Sequence, residues 1–427
     1  MIDAPWSKVT PEVWGRKKLK YVAGFVGGGT PDKSKPEFWD GDIPWVSPKD
    51  MKTNQVFDSE DHITLEGLQS SATNLVEPGA ALIVVRSGIL RHSIPVAVNR
   101  VRVALNQDMR AILPDDSLDV VFLAYLIMGF QTQLLSQWSK EGATVESIEY
   151  DLMASTEIPL PTLDTQKGII AFLDRETAEI DALIVAKQRL LELLAEKRRA
   201  IVAEAVMRGL NPAVRMRPSG IDWLGDIPAH WEMKRSKWLF LERDDRSTDG
   251  SEVLLSLRME RGLVPHNDVS EKHTRPEELI GYKKTSVGQL VVNRMRAATG
   301  LIAITTQDGL VSPDYAVFRP SPDILADYYV HMFKTPLLQA VFRSESTGLG
   351  TGSQGFLRLY SENFLALWFP CPPLAEQHEI VRYISTETAK IDRLRAATEH
   401  SISLLKERRG ALIAAAVTGQ IDIPEAA

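Results

Sequence analysis

The sequence predicts an α+β protein in which two globular α/β-type domains stand in pseudo-twofold repeat, separated by a long antiparallel two-helix coiled coil. Three observations lead there. One segment occurs twice in the chain, an apolar period of 3.5 residues runs through both copies, and the stretches between the copies share no such likeness.

Residues 158–207 align with 369–418 at a constant offset of 211, without a gap, and twenty of the fifty pairs are identical. Each copy opens on a proline-rich lead-in. Pro159-x-Pro161-x-Leu163-x-x-Gln166 matches Pro370-x-Pro372-x-Leu374-x-x-Gln377, and Glu176-Thr177-Ala178-x-Ile180-Asp181 matches Glu387-Thr388-Ala389-x-Ile391-Asp392. A second match lies upstream, where Trp6, Pro11, Trp14, Lys17 and Lys20 correspond to Trp223, Pro228, Trp231, Lys234 and Lys237 at an offset of 217. The partition that follows is a first globular domain at 1–157, a helical spacer at 158–210, a connector and second globular domain at 211–368, and a second helical spacer with the tail at 369–427.

Within the first globular domain, Ala80-Ala81-Leu82-Ile83-Val84-Val85 predicts a buried strand leading into Arg86, and Val121–Met128 a short helix after Pro114. In the first spacer, Leu173, Thr177, Ile180, Ile184, Lys187, Leu191, Leu194, Arg198, Ile201 and Ala205 alternate at spacings of four and three. That is the seam of a coiled coil, and Leu183, Leu190 and Leu193 are expected to widen it. The segment from Gly209 to Pro228 breaks the helix and connects the halves. The second half repeats the plan: Leu290-Val291-Val292 predicts a strand leading into Arg294, and Tyr328–Phe333 a helix after Pro322. Its own seam is Ile384, Thr388, Ile391, Arg395, Thr398, Ile402, Leu405, Arg409, Leu412 and Ala416. A rod of about forty residues, on the order of 60 Å, needs its stripe covered. The other repeat is tethered in the same chain, and the pseudo-twofold makes their pairing antiparallel.

Composition narrows the function. The 427 residues suffice for roughly two to three domains. No apolar run reaches the roughly 18 residues of a membrane span, and the first thirty residues lack the pattern of a secretory signal, so a cytoplasmic protein with no membrane partner is expected. The single cysteine, Cys371, allows neither an internal disulfide nor a cysteine metal cluster. A net charge of −7 argues against a protein that coats nucleic acid by electrostatics alone. Residues 1–157 hold 15 basic and 21 acidic side chains, whereas 211–368 hold 19 of each.

Catalytic signatures are missing. Gly27-Gly28-Gly29-Thr30-Pro31 lacks the Gly-Lys-Ser/Thr of a phosphate loop and reads as a turn. Cys371-Pro372-Pro373-Leu374 resembles an amino-methyltransferase motif only faintly, and its prolines belong to the repeated lead-in. No metalloprotease, nucleophile-elbow or nuclease constellation stands out, and the eight histidines are scattered.

Taken in order, several strings resemble the specificity subunits of Type I restriction-modification enzymes. They are Gly28-Gly29-Thr30-Pro31, Phe38-Trp39-x-Gly41-x-Ile43-Pro44-Trp45-Val46-Ser47-x-x-Asp50-Met51 and Ile221-Asp222-Trp223-Leu224-Gly225-x-Ile227-Pro228-x-His230-Trp231. The two proline lead-ins, Lys406-Glu407-Arg408-Arg409 and Ala416-Val417-Thr418-Gly419-Gln420-Ile421-Asp422 complete the set, which covers nearly the whole chain. One departure stands out: Leu241–Arg246 replaces the Gly-Gly-Thr-Pro-like opening usual in the second domain. The Gly-Ser-Thr-like loop before the last strand survives as Gly352-Ser353-Gln354 in the second half and, in degenerate form, as Gly142-Ala143-Thr144 in the first.

The resemblance implies a non-catalytic DNA-reading subunit whose globular domains are target-recognition domains for an asymmetric, bipartite site in double-stranded DNA. It implies two modification (methyltransferase) subunits held by the helical regions, with restriction/translocase subunits added to them. This chain then holds no cofactor, S-adenosylmethionine, ATP and Mg belonging to the partners. Base edges are read by polar and basic side chains on loops. The candidates are Ser47, Lys49, Arg86, Ser87, Arg91 and Gln107 in the first domain, and Arg258, Lys283, Lys284, Asn293, Arg294, Arg296, Ser353, Gln354 and Arg358 in the second.

If the helices set the gap between half-sites, seven residues inserted after both Gln188 and Glu399 keep the seam in register and add about 10 Å of helix. The expected methylation target has unchanged half-sites and a gap about one to three base pairs longer, at roughly 3.4 Å per base pair. Methylome sequencing checks this, and an unchanged gap would show that something else positions the domains.

Overall fold

Prolines hold the two lead-ins extended, and the helices start as soon as the prolines end. In the computed structural model, which describes residues 4–7, 9–140, 144–271, 274–348 and 357–423, the repeats form helices at Leu163–Arg208, 46 residues, and Leu374–Val417, 44 residues. Gly209 and Gly419, with φ of +76° and +69°, follow their ends in the left-handed conformation that stops a helix. A Cβ on either would crowd the indole of Trp231 or Trp14. The chain divides into two compact units, Met1–Gln188 with Glu399–Ala427, and Arg189–Thr398. Each long helix therefore begins in one unit and ends in the other.

The seam follows the 3.5-residue period, except that Arg198 and Arg395, expected on it, are exposed. Leu173, Thr177, Ile180, Ile184, Leu194 and Ala205 are buried on the first helix, and Ile384, Thr388, Ile391, Thr398, Ile402 and Ala416 on the second. Inside the first unit, Ile169 and Leu173 share a core with Ile413, Ala416 and Val417, while Arg409 Nε donates to Asp181 at 2.9 Å. Advance along one helix matches retreat along the other, so the pairing is antiparallel. The second unit repeats this with Ala205 and Val206 against Ile380 and Ile384, and with Arg198 Nε 3.4 Å from Asp392. The two ion pairs are images of each other under the offset of 211. Leu183, Leu190 and Leu193 do not widen the seam. They are exposed, because they sit on the flanks of a two-helix contact too narrow to cover them.

The globular parts repeat as well. In the first unit, strands β1 (Ala23–Gly27), β2 (Ala81–Val84), β3 (Val96–Asn99) and β4 (Met109–Pro114) form a sheet in the order β1-β4-β2-β3, extended by Gln55–Val56. In the second, β5 (Phe240–Arg243), β6 (Leu290–Asn293), β7 (Ile302–Ile304) and β8 (Tyr315–Pro320) take the same order, β5-β8-β6-β7. The fully buried run Ala81–Val84 and its counterpart Leu290–Asn293 are the central strands expected from their unbroken apolar sequence. Helices Val120–Gly129 and Ala326–Phe333 cover these sheets. The units differ beyond this frame. The first adds a four-stranded layer containing Trp39–Val46 and Val103–Leu105; the second has two-stranded pairs, Leu255–Arg258 with Gly262–Pro265 and Lys283–Thr285 with Gly309–Val311.

One buried amide per unit ties the frame to its helix. Gln166, fully buried, donates from Nε2 to the carbonyls of Pro161 and Ser117 at 2.9 and 3.0 Å, and its Oε1 accepts from the Asp119 N–H at 2.7 Å. Gln377, equally buried, donates to the carbonyl of Pro372 at 2.8 Å and accepts from the Leu325 N–H at 2.8 Å. Prolines supply carbonyls and no N–H, so the lead-ins offer acceptors that a primary amide can satisfy while still accepting a bond. Replacing Gln166 or Gln377 by Leu strands these groups in the interior, and each change is expected to cost about 1–3 kcal/mol. Thermal unfolding checks this; a midpoint equal to the parent's would show that the amide does not hold the lead-in.

Candidate nucleic-acid interface

Strands β2 and β6 occupy the same place in their sheets, so Arg86 and Arg294 leave the frame at the same end, Arg86 one residue farther beyond its strand. In the second unit this exit is densely built. Asn293 is buried opposite Tyr315, the first residue of β8, and its Oδ1 accepts from the Met295 N–H at 3.1 Å. Arg294 Nε donates to the Asp314 carbonyl at 2.7 Å, and Arg358 reaches the Asp314 carboxylate at 3.1 Å. The Leu359 N–H donates to the Arg294 carbonyl at 2.9 Å, which brings Arg358 to the cluster. Burial raises the Tyr315 phenol above its ordinary range, while Asn293 and the charges of Arg258 and Arg296 oppose the rise. Arg258 and Arg296 are exposed, and among the described residues the Arg296 side chain has no hydrogen-bond or ion-pair partner.

The structure thus gathers Arg258, Asn293, Arg294, Arg296 and Arg358 at one end of the sheet. It sets Lys283 and Lys284 apart. Lys283 is only 4% exposed, with its ammonium 3.0 Å from Asp244, and Lys284 lies 2.6 Å from Glu252. Lys284 and the Ser247 hydroxyl hold Glu252 down at about 2. Lys283 therefore serves the stretch that replaces the Gly-Gly-Thr-Pro opening, where Arg246 also pairs with Asp244. Ser353 and Gln354 lie outside the described residues.

The first unit builds the equivalent exit with other residues. Arg86 Nε is 3.8 Å from Asp108, Arg91 pairs with Glu146, and the Ser87 N–H donates to the Glu146 carbonyl at 3.1 Å. Gln107 is exposed and accepts from the Thr30 hydroxyl. The Gly-Gly-Thr-Pro turn reaches that point because it has no Cβ: one on Gly28 would stand 2.0 Å from the Asn106 carbonyl, and one on Gly29 2.6 Å from the Thr73 nitrogen. Ser47 is buried and bonded to Asp50 through both its N–H and its hydroxyl, each at 2.8 Å, so it shapes the turn after Trp39–Val46. Lys49 sits beyond it between Asp61 at 2.9 Å and Glu60 at 3.4 Å. Arg86, Ser87, Arg91 and Gln107 form one group around Asp108 and Glu146; Ser47 and Lys49 stand at its side.

Tyr315, Asp314 and Asp108 are absent from the sequence candidates. The two aspartates hold equivalent places ahead of β8 and β4, a likeness visible only once the strands are aligned. Among the described residues, no group of histidine, cysteine, aspartate and glutamate could hold a metal ion, and no single helix is long and apolar enough to cross a membrane.

The family profile described as the Type I restriction modification DNA specificity domain matches residues 11–193 and 275–402. The chain is 38% identical over 178 residues to the Type I restriction enzyme EcoR124I/EcoR124II specificity subunit of Escherichia coli, covering 42% of this chain and 44% of that protein. It is 29% identical over 232 residues to the MjaIX specificity subunit of Methanocaldococcus jannaschii, covering 53% and 51%. The matched part thus spans about half the length of each of these two relatives. Two solved structures share its fold. One comes from work on complex assembly and conformational transition of the type I R-M system, with a TM-score of 0.69 at 15% identity over 96% of this chain and 99% of that one. The other is the HsdS subunit from Thermoanaerobacter tengcongensis, with a TM-score of 0.55 at 16% identity over 99% and 100%. With a profile match that spans more than half of the sequence, the chain belongs to the Type I restriction-modification DNA specificity family.

Proposed function

We propose that this chain is the cytoplasmic DNA-specificity subunit of a Type I restriction-modification enzyme, reading an asymmetric, bipartite duplex target with one globular domain per half-site. The observation that carries this reading is the sheet repeated in the same strand order, with an arginine and an aspartate at each exit, Arg86 and Asp108 or Arg294 and Asp314, but with different residues beside them: Arg91, Glu146 and Gln107 in one unit, and Asn293, Tyr315 and Arg358 in the other. One frame with two sets of donors and acceptors suits two different base sequences. The chain itself performs no catalysis. Methyl transfer from S-adenosylmethionine belongs to two modification subunits, and ATP- and Mg-dependent translocation and cleavage to restriction subunits. Leu183 and Leu394, and likewise Leu193 and Leu404, are exposed at equivalent positions of the two long helices, which supports a partner bound in two copies.

Methylome sequencing of cells carrying the chain and its modification partner is expected to show a bipartite, asymmetric motif. Moving residues 22–157 into a related subunit is expected to transfer one half-site only. A continuous or palindromic motif, or transfer of both half-sites, would overturn the reading.

The arginines separate by role. Arg296→Ala is expected to weaken binding of the specific duplex by about 1–3 kcal/mol with no change in thermal stability, the loss expected for a base contact. Arg294→Ala is expected to lower the thermal midpoint too, because its guanidinium holds the Asp314 carbonyl. Equal affinity of the Arg296 variant and its parent for specific and non-specific duplexes would place Arg296 outside the interface.

A further inference from the structure

The two units also carry the same feature at the other end of the sheet. Tyr21 and Trp238 correspond under the offset of 217 and are among the most exposed large apolar side chains of the described residues, at 68% and 69%. Each ring has the preceding lysine over it, Lys20 5.5 Å from the centroid of Tyr21 and Lys237 5.1 Å from that of Trp238. Further cations flank both. Arg16 and Lys17 are exposed before Tyr21, and Arg235, itself 5.5 Å from the Trp368 ring, is exposed before Trp238. A single exposed aromatic needs no explanation. The same cation-flanked ring at equivalent places of two units, in a chain of net charge −7, does.

Strand register places these ledges. In the first unit β1 meets β4 with Ala23 opposite Pro114 and Gly27 opposite Arg110, so Tyr21 lies beyond the Pro114 end and Gln107 beyond the other. In the second, Phe240 faces Pro320, so Trp238 lies beyond the Pro320 end while Tyr315 starts the strand. Six residues of strand, about 17 Å, separate ledge from reading cluster in each unit. Each ledge instead adjoins the lead-in of a long helix: the Leu19 N–H donates to the Thr156 carbonyl at 2.9 Å, and the Ser236 N–H to that of Leu367 at 2.7 Å.

We propose that these two ledges are docking surfaces for the two modification subunits, one copy on each, and that each receives an acidic, aromatic-accepting face of its partner. The proposal rests on the reading of the chain as a specificity subunit. A feature repeated in kind must meet something repeated in kind, and its place beside the helix lead-in, away from the reading cluster, favours the two-copy protein over the duplex. Exposed Tyr and Trp rings supply binding energy at protein interfaces, and the surrounding lysines and arginines select an acidic counterpart.

The test uses the full chain with its modification subunit, followed by native mass spectrometry and sedimentation. Tyr21→Ala with Lys20→Glu is expected to weaken one of the two binding steps at least tenfold, giving a one-to-one complex where the parent gives one-to-two. Trp238→Ala with Lys237→Glu is expected to do the same at the other step. Circular dichroism should show an unchanged thermal midpoint, and Lys20→Glu alone should flatten the salt dependence of assembly. Unchanged stoichiometry and affinity in both double variants would overturn the proposal. So would normal assembly combined with a loss of affinity of the assembled complex for any duplex, since the ledges would then face DNA. A parent chain that assembles with no modification subunit would sink the specificity-subunit reading itself, and the ledges with it.

Discussion

A helix of 46 residues with one apolar stripe has no stable solution alone, and the structure follows from how this one is covered. The cover is the second copy of the same sequence running the other way. Antiparallel pairing of a repeat produces each contact twice, as with Asp181 to Arg409 and Arg198 to Asp392, so a single evolved interaction serves both units. Threonines at buried seam positions cost little, because Thr177 and Thr388 return their hydroxyls to the carbonyls of Leu173 and Ile384 at 2.7 and 2.8 Å. The seam stays narrow, and the leucines beside it remain free for other contacts.

From that seam the order propagates through the buried glutamines. Gln166 and Gln377 bond at once to the proline lead-in and to the backbone just before the helix that covers each sheet. The sheet order is then the same in both units, and the chain spends its variation at the strand exits. Where the frame needs a close approach, glycine appears, as at Gly28 against Asn106. Where the second unit lacks that turn, an ion-pair network of Asp244, Arg246 and Lys283 occupies the stretch.

Much of this was legible in the sequence, because repetition and periodicity are properties of a string. The offset of 211 located both helices, the 3.5-residue spacing located their buried faces, and the unbroken apolar runs located the central strands. Leu183, Leu190 and Leu193 fall outside the seam despite their spacing, since hydrophobicity alone does not say how wide a contact is. The site was less legible. Arg86 and Arg294 follow from the strand ends, but Ser47 and Lys283 look like free polar residues until their partners Asp50 and Asp244 are brought near by the fold. Tyr315 shows no local signal at all; only its strand pairing with Asn293 makes it part of a cluster.

Ion pairs within both globular parts also explain how an acidic chain could serve in the proposed DNA-reading role. Lys49, Arg91, Lys284 and Arg358 are each matched by an acid of the same unit, Asp61, Glu146, Glu252 and Asp314. A phosphate approaching any of them must displace a carboxylate or share its cation, so the net gain is small and non-specific affinity stays low. Base edges differ from phosphates in this respect. They are neutral, and their recognition depends on the placement of donors and acceptors, which a braced arginine supplies without a large field. Under the proposed function, this division leaves the holding of the duplex to partners with their own cations and keeps selectivity in this chain. A strongly basic reading surface would bind every sequence and blur the choice between them; carboxylates beside the proposed readers would favour the sequence whose base edges repay the lost ion pairs.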